Sequence, residues 1–342
     1  MIMRKRFHIS LLKFAFFSLT CIPALVFAQT PQSTKGVFVK ELSAVKWNTP
    51  DGIPYVKGPG SDLGATSFEV MDASRIAYLS NASNEIIITK TSDGTAMKKF
   101  PVASAPRDFV YDNGFFYVLF SQQVTVYDES GKTINSFTFP IPYMGVERLT
   151  RYNKETYLLL PAGNCAKIES AGQAVTPEEY EGWITSASSF VSTKLSSDKA
   201  YSVSVRSANG KSYTKEFTAD KKVAGVYVIG STENRLVIEV QSFISESPIA
   251  VERNIVSIEL NKKEEMVSIA VSKKVPDCNY VHSNKNFSVS PDGNILNMIT
   301  APNGIYVFSL AESISTSAQD YPAEIKDMKY HFNDHMIKVD EQ

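Results

Sequence analysis

Apolar and polar positions alternate along this chain in short runs: IAYLS around Tyr78, FYVLF around Tyr117, TYLLL around Tyr157, AYSVS around Tyr201, LVIEV around Val237, ILNMI around Leu296 and MIKV around Ile337. Each run has the alternation and the β-branched or aromatic content of a strand. Successive centres lie 39, 40, 44, 36, 59 and 41 residues apart. A period near forty with strand chemistry inside each unit predicts an all-β chain, a β-propeller of four-stranded antiparallel blades. Seven runs predict seven blades, with six as the alternative.

The second unit reads most cleanly. Arg107–Tyr111 predicts the inner strand, and Asp112-Asn113-Gly114 a hairpin turn, because Asn-Gly suits positive φ. Phe115–Phe120, Val124–Asp128 and Ile134–Phe139 supply three more strands before Pro140. The fourth unit places Asn209-Gly210 between its second and third strands. Two units break the rhythm. In the third, Thr176-Pro177-Glu178-Glu179 has proline at a first turn and Glu three residues after a cap, which predicts a helical turn through Trp183. In the fifth, SFISESPIAVERN (Ser242–Asn254) predicts a protruding loop.

Closure depends on the ends, since an open ring leaves strand edges unpaired. Asp327–Phe332 and His335–Val339 look like two strands of a further unit, which Val37–Leu42 and the segment after it would complete as a seventh blade. Under the six-blade alternative the N-terminal strand closes the sixth blade and the C-terminal residues are an appendage. The division that follows is a leader over 1–28, an entry segment with a closing strand over 29–66, and repeats over 67–342.

Residues Ser290–Ile299, SPDGNILNMI, resemble the bacterial propeller repeats of the TolB and YVTN type. Arg107–Pro140 resembles NHL-type six-bladed units, and Ser83-Asn84-Glu85-Ile86 partly echoes their Asn-x-Arg-Ile element, with Glu85 in place of Arg. These are turn motifs, so the resemblance implies fold and not activity. The NHL likeness favours six blades.

Residues 1–28 carry Arg4, Lys5 and Arg6, an apolar stretch from Leu11 to Phe27, and Val26-Phe27-Ala28 before Gln29, the pattern of a cleaved export signal. Ser18-Leu19-Thr20 before Cys21 does not suit lipidation. No later stretch reaches the roughly 20 apolar residues of a membrane span. The expected location is therefore periplasmic or extracellular. A net charge of −1 without a basic stripe gives nucleic acid no support as a partner. The remaining thiols, Cys165 and Cys278, sit far apart in the repeat order and read as buried and inert more readily than as a bridge.

Chemistry is sparse. There is no Gly-x-Ser-x-Gly elbow, and Gly58–Gly64 reads as a flexible entry loop. Zinc lyases on NHL-like propellers use three channel histidines, and His282, His331 and His335 just suffice in number. His331 and His335 fall in a predicted strand-turn-strand, however, where a four-residue spacing does not align two ligands. Calcium-dependent propeller lactonases use oxygen ligands at the channel mouth, where Asp72, Asp112, Asp292, Asp334 and Glu147 would stand. Aspartates before Gly or Asn-Gly are explained equally by turn chemistry. Arg107, Asp108, Glu147 and Arg148 begin inner strands and would face the channel.

Irregular loops are where partners bind on repeat proteins, which singles out Phe243, Ile244, Tyr180 and Trp183. The expectation is an exported, monomeric, non-catalytic binding propeller with no cofactor, recognising a protein, peptide or glycan. A calcium- or zinc-dependent hydrolase or lyase in the channel is the alternative.

Overall fold

A computed structural model of the chain describes residues 36–328, apart from 59–60, 141–142, 144, 147, 162, 169–176, 186–188, 208–209, 233, 262–264, 277–279, 291–292, 314–319 and 327. The first strand, β1 (Gly36–Lys46), belongs to the last blade. Blade one is β2 (Ala65–Asp72), β3 (Arg75–Ser80), β4 (Glu85–Lys90) and β5 (Ala96–Pro101). Blade two is β6 (Asp108–Asp112), β7 (Phe115–Leu119), β8 (Gln123–Asp128) and β9 (Thr133–Thr138). Blade three is β10 (Arg148–Tyr152), β11 (Glu155–Leu159), β12 (Cys165–Ile168) and β13 (Glu178–Tyr180). Blade four is β14 (Trp183–Ile184), β15 (Ser189–Ser197), β16 (Ala200–Ser207) and β17 (Ser212–Thr218). Blade five is β18 (Val223–Thr232), β19 (Arg235–Glu246), β20 (Ile249–Leu260) and β21 (Met266–Val275). Blade six is β22 (Phe287–Val289), β23 (Ile295–Ala301), β24 (Gly304–Ser313) and β1, followed by a single helical turn, α1 (Ala323–Lys326).

The propeller therefore has six blades and not seven, each a four-stranded antiparallel sheet. What decides the count is β1. It pairs with β24 from Gly36↔Ser313 to Lys46↔Gly304 and becomes the outer strand of blade six. That pairing covers the edge of β24 and places Val39 in the seam between blades five and six, and Val45 in the seam between blades six and one. The strands expected beyond residue 328 lie outside the described residues.

Six apolar clusters fill the six seams between neighbouring blades, because alternate residues of each strand face opposite neighbours. In β3, Ile76 and Tyr78 pack toward blade six, whereas Ala77 and Leu79 pack toward blade two. The seam between blades three and four is the smallest cluster: Tyr157, Leu159, Cys165 and Ile184 are buried there, edged by Tyr152, Tyr180, Trp183 and Phe190. Cys165 is a free thiol, pushed up to about 11 by burial; Cys278 lies outside the described residues.

Three local expectations change. The helical turn through Trp183 does not form. Glu178–Tyr180 instead pairs with Cys165–Lys167 as the outer strand of blade three, satisfying a backbone edge that a short helix would leave open. Gly182, at φ +90°, then turns the chain so that Trp183 opens blade four; a Cβ there would meet the Val191 backbone at 3.0 Å. This moves Tyr201 to the third strand of its blade and Gly210 to the turn after it. Ser242–Asn254 is no loop but a two-stranded ribbon, with β19 and β20 paired out to Glu246↔Ile249. Those long strands account for the 59-residue interval.

Candidate functional site

The six inner strands, β2, β6, β10, β14, β18 and β22, surround a central cavity of about 750 Å³. Each is the edge strand of its sheet, so each turns one row of backbone N–H and C=O groups toward the axis. The wide end lies at the exposed turn residues Asp72, Ala73 and Asn113. The walls alternate Val110, Ile184, Val228 and Ile229 with Thr150, Thr185, Ser231 and Ser288. The space is a funnel.

Its narrow end is spanned by Asn284 and Lys285, on the segment leading into β22. Asn284 donates to the Arg107 carbonyl at 2.7 Å. The Lys285 ammonium, only 5% exposed, bonds to Glu69 at 2.6 Å and to the Phe109 carbonyl at 2.6 Å, and stands 3.4 Å from Asp108. One residue of blade six thus ties down blades one and two. Asp108 is fully buried and accepts further bonds from the Ser67 hydroxyl at 2.5 Å and the Leu149 amide at 2.9 Å. Burial pushes the Glu69 carboxyl above its usual range, an effect that Lys285 partly offsets.

Arg148 stands beside this network without joining it. Its guanidinium lies 5.3 Å from the centre of the Trp183 ring. Its Nε is sealed from solvent and has no hydrogen-bond partner among the described residues. Burial pulls the group below its ordinary range, while the negative charges of Asp108, Glu69 and Glu239 act against that. Each of those carboxylates already has a close partner: Lys285 for Glu69 and Asp108, and Arg253 for Glu239 at 2.6 and 3.1 Å. Arg148 is only half-buried overall and lines the cavity, so its unbonded guanidinium is open to a group that enters there.

The structure brings Arg148 and Trp183 together, although the sequence offers them for different reasons, one as a strand start and the other as part of an irregular segment. Tyr180 is elsewhere, stacked on Phe190 at 4.8 Å in the seam between blades three and four. Arg107 donates to the Val146 carbonyl at 2.9 Å, near the narrow end. Phe243 and Ile244 lie on the blade-five ribbon, where Ile244 is 61% and Ile249 78% exposed and the Lys222 ammonium sits 5.6 Å from the Phe243 ring.

Asp112 is at the wide end, held by Arg151 at 2.9 Å, and Asp72 is held there by Arg75 at 2.7 Å. His282 is exposed; His331, His335, Asp334, Asp292 and Glu147 lie outside the described residues. Among the described residues no three His, Cys, Asp or Glu side chains gather as a metal site. Lys285 escapes the sequence reading, because it belongs to no strand run and acts on groups 176 and 216 positions earlier.

No family model matches this chain, and no curated protein does. Among solved structures it is similar to Kuenenia stuttgartiensis hydrazine synthase, at 14% identity and TM-score 0.46, over 71% of this chain and 78% of that one. It is similar to virginiamycin B lyase from Staphylococcus aureus at 12% identity and TM-score 0.42, over 81% of this chain and 100% of that one. It is also similar to BamB from Moraxella catarrhalis, at 11% identity and TM-score 0.36, over 79% and 97%. These likenesses decide nothing about the funnel, which is read from its own residues. Among the described residues no helix is long and apolar enough to cross a membrane.

Proposed function

We propose that this chain is an exported, non-catalytic binding propeller that receives an extended peptide segment of a partner protein in its funnel. The observation that carries the reading is the funnel itself: a cavity of about 750 Å³, open at one end, with apolar walls interleaved with hydroxyls and strand edges. Pockets of this size and mixed lining are where proteins hold ligands. Exposed edges of inner strands offer hydrogen bonds to an extended backbone, and the apolar stripes offer contacts to alternate side chains. Apart from Arg148, the charged groups of the narrow end are bonded to one another, which suits holding a ligand more than transforming it. Export rests on the sequence of residues 1–28.

A peptide fits better than a glycan because sugar rings need free aromatic faces, and the aromatic rings lining the funnel are engaged. Trp183 faces Arg148, Phe287 faces the Arg253 guanidinium at 5.1 Å, and Tyr111 packs on Phe116 at 5.0 Å while its hydroxyl bonds to Glu129. The test is photo-crosslinking with peptides selected from a random library, each carrying a benzophenone, and mapping of the adducts by mass spectrometry. Adducts on funnel residues such as Val110, Thr150 and Val228 are expected. Adducts confined to the outer faces or to the blade-five ribbon would overturn the reading.

A further inference from the structure

We propose that Arg148 forms a carboxylate-binding subsite at the narrow end of the funnel, which receives an acidic group of the bound peptide, either a side-chain or a C-terminal carboxylate. The proposal rests on the funnel reading above and names the chemistry that its deepest part selects.

Three observations converge on Arg148. It lines the cavity, so a ligand entering from the wide end reaches it. Its guanidinium has no hydrogen bond or ion pair to any described residue, and its sealed Nε is one of the few buried polar side-chain atoms left unpartnered. The carboxylates whose charge it feels are all bonded elsewhere: Glu69 to Lys285, Asp108 to Ser67, the Leu149 amide and Lys285, and Glu239 to Arg253 and Gln241. These carboxylates supply a background field without occupying the donors of Arg148.

Trp183 forms one wall beside the cation. Its ring lies 5.3 Å from the guanidinium, and its own Nε1 is anchored to the Leu160 carbonyl at 3.1 Å. A planar guanidinium pairs with a planar carboxylate through two parallel N–H···O bonds, in a geometry that an ammonium does not reproduce. Lys285 illustrates the contrast: a point charge already committed to Glu69 and a backbone carbonyl. Leu149, Ile184 and Val228 line the same cavity, and a charged pair formed beside apolar surface is less screened than one in bulk water.

The experiment uses the full mature chain and peptides recovered from the library, each remade in matched forms: acid, with Glu or Asp exchanged for Gln or Asn, and with the C-terminus amidated. Affinity is read by calorimetry at fixed ionic strength. The expectation is that neutralising one carboxylate weakens binding at least tenfold, and that comparing the two neutral forms shows whether it is the side chain or the C-terminus. With Arg148→Met the acid and neutral forms should bind within twofold of each other, and Arg148→Lys should recover only part of the difference. Peptides whose adducts map to the funnel but which bind equally well as acid and amide would overturn the carboxylate subsite and leave the funnel reading standing. Failure of any peptide to label the funnel would overturn both. The acid-to-amide comparison changes only the peptide, so it holds even if an Arg148 variant does not fold.

Discussion

Asp108 on β6 accepts a 2.9 Å hydrogen bond from the Leu149 amide on β10, so a side chain of blade two caps the inner edge of blade three. The same carboxylate takes the Ser67 hydroxyl of blade one and faces Lys285 from the segment entering blade six. One fully buried group thus links four blades around the axis.

Removing it should be costly. Asp108→Ala orphans the Leu149 amide and the Ser67 hydroxyl and leaves buried Lys285 and Arg148 with less counter-charge. Loss of one partner of a buried ion pair costs about 3–5 kcal/mol. Urea unfolding should show a loss in that range, with a smaller one for Asp108→Asn, whose oxygen still accepts one bond. A loss under about 1 kcal/mol for the alanine variant would mean that the blades are held by their seams alone.

Among the described residues the ring closes through β1, and six four-stranded blades are complete by Ser313. Deleting residues 329–342 should leave the thermal midpoint within about 1.5 °C, roughly the shift that 1 kcal/mol produces in a domain of about 300 residues. Deleting residues 1–46 removes buried Val39 and Val45, at roughly 1.5–3 kcal/mol each, and bares the edge of β24. That protein should melt far lower or aggregate. Calorimetry of the two truncations compares them directly, and equal midpoints would contradict closure by β1.

The blade-five ribbon can be shortened only so far. Replacing Phe243–Glu252 with an Asn-Gly hairpin should leave the ring folded, because the exposed ribbon tip carries little of the core. Extending the deletion through Arg253 strands Glu239, its partner at 2.6 Å, where both side chains are only 8% exposed. The longer deletion should cost about 3–5 kcal/mol more, read from the denaturant midpoints of the two deletion variants. Comparable midpoints would show that the Glu239–Arg253 pair is dispensable.

Acid should loosen the segment around α1 before the ring. Burial alone would raise the Asp320 carboxyl, but bonds from Lys273 and Lys326 outweigh it and hold the group at about 2, against a usual 3.8. A depressed carboxylate contributes stability above its unfolded value, lost as pH falls through the folded one. Between about pH 4 and pH 2 the contacts of Tyr321 and Ile325 on the blade-six seam should weaken. Pepsin cleavage within 320–328, followed by mass spectrometry, should accelerate across that window in the wild type. In Asp320→Asn it should already be fast at pH 4. A pH-independent ratio between the two proteins would remove Asp320 from the account.

Blade architecture is legible in the sequence because its signals are local. Alternation in IAYLS or FYVLF and the Asn113-Gly114 turn need no knowledge of the rest of the chain. The blade count is not local: it depends on Gly36 pairing with Ser313, which no window of forty residues contains. Glu178–Tyr180 shows a different limit, since its helix-start composition yields to an open strand edge beside it. In the site, Arg148 and Asp108 are visible as strand starts, whereas Lys285 is invisible because its meaning comes from groups one and two blades away.

The pairing of the earliest strand with the last hairpin also sets a schedule. Trp47, just after β1, bonds to the Ala301 carbonyl 254 positions later. At roughly 5–20 residues per second, synthesis takes about ten to fifty seconds to cover that interval. Throughout it Val37, Val39 and Val45 sit on a strand whose partner has not yet been made. Blades one to five can assemble in order of appearance, but the sixth is finished by the oldest strand in the chain. Completion of the ring therefore waits on the last hairpin, and until then the apolar residues of the first strand lack the neighbours that bury them.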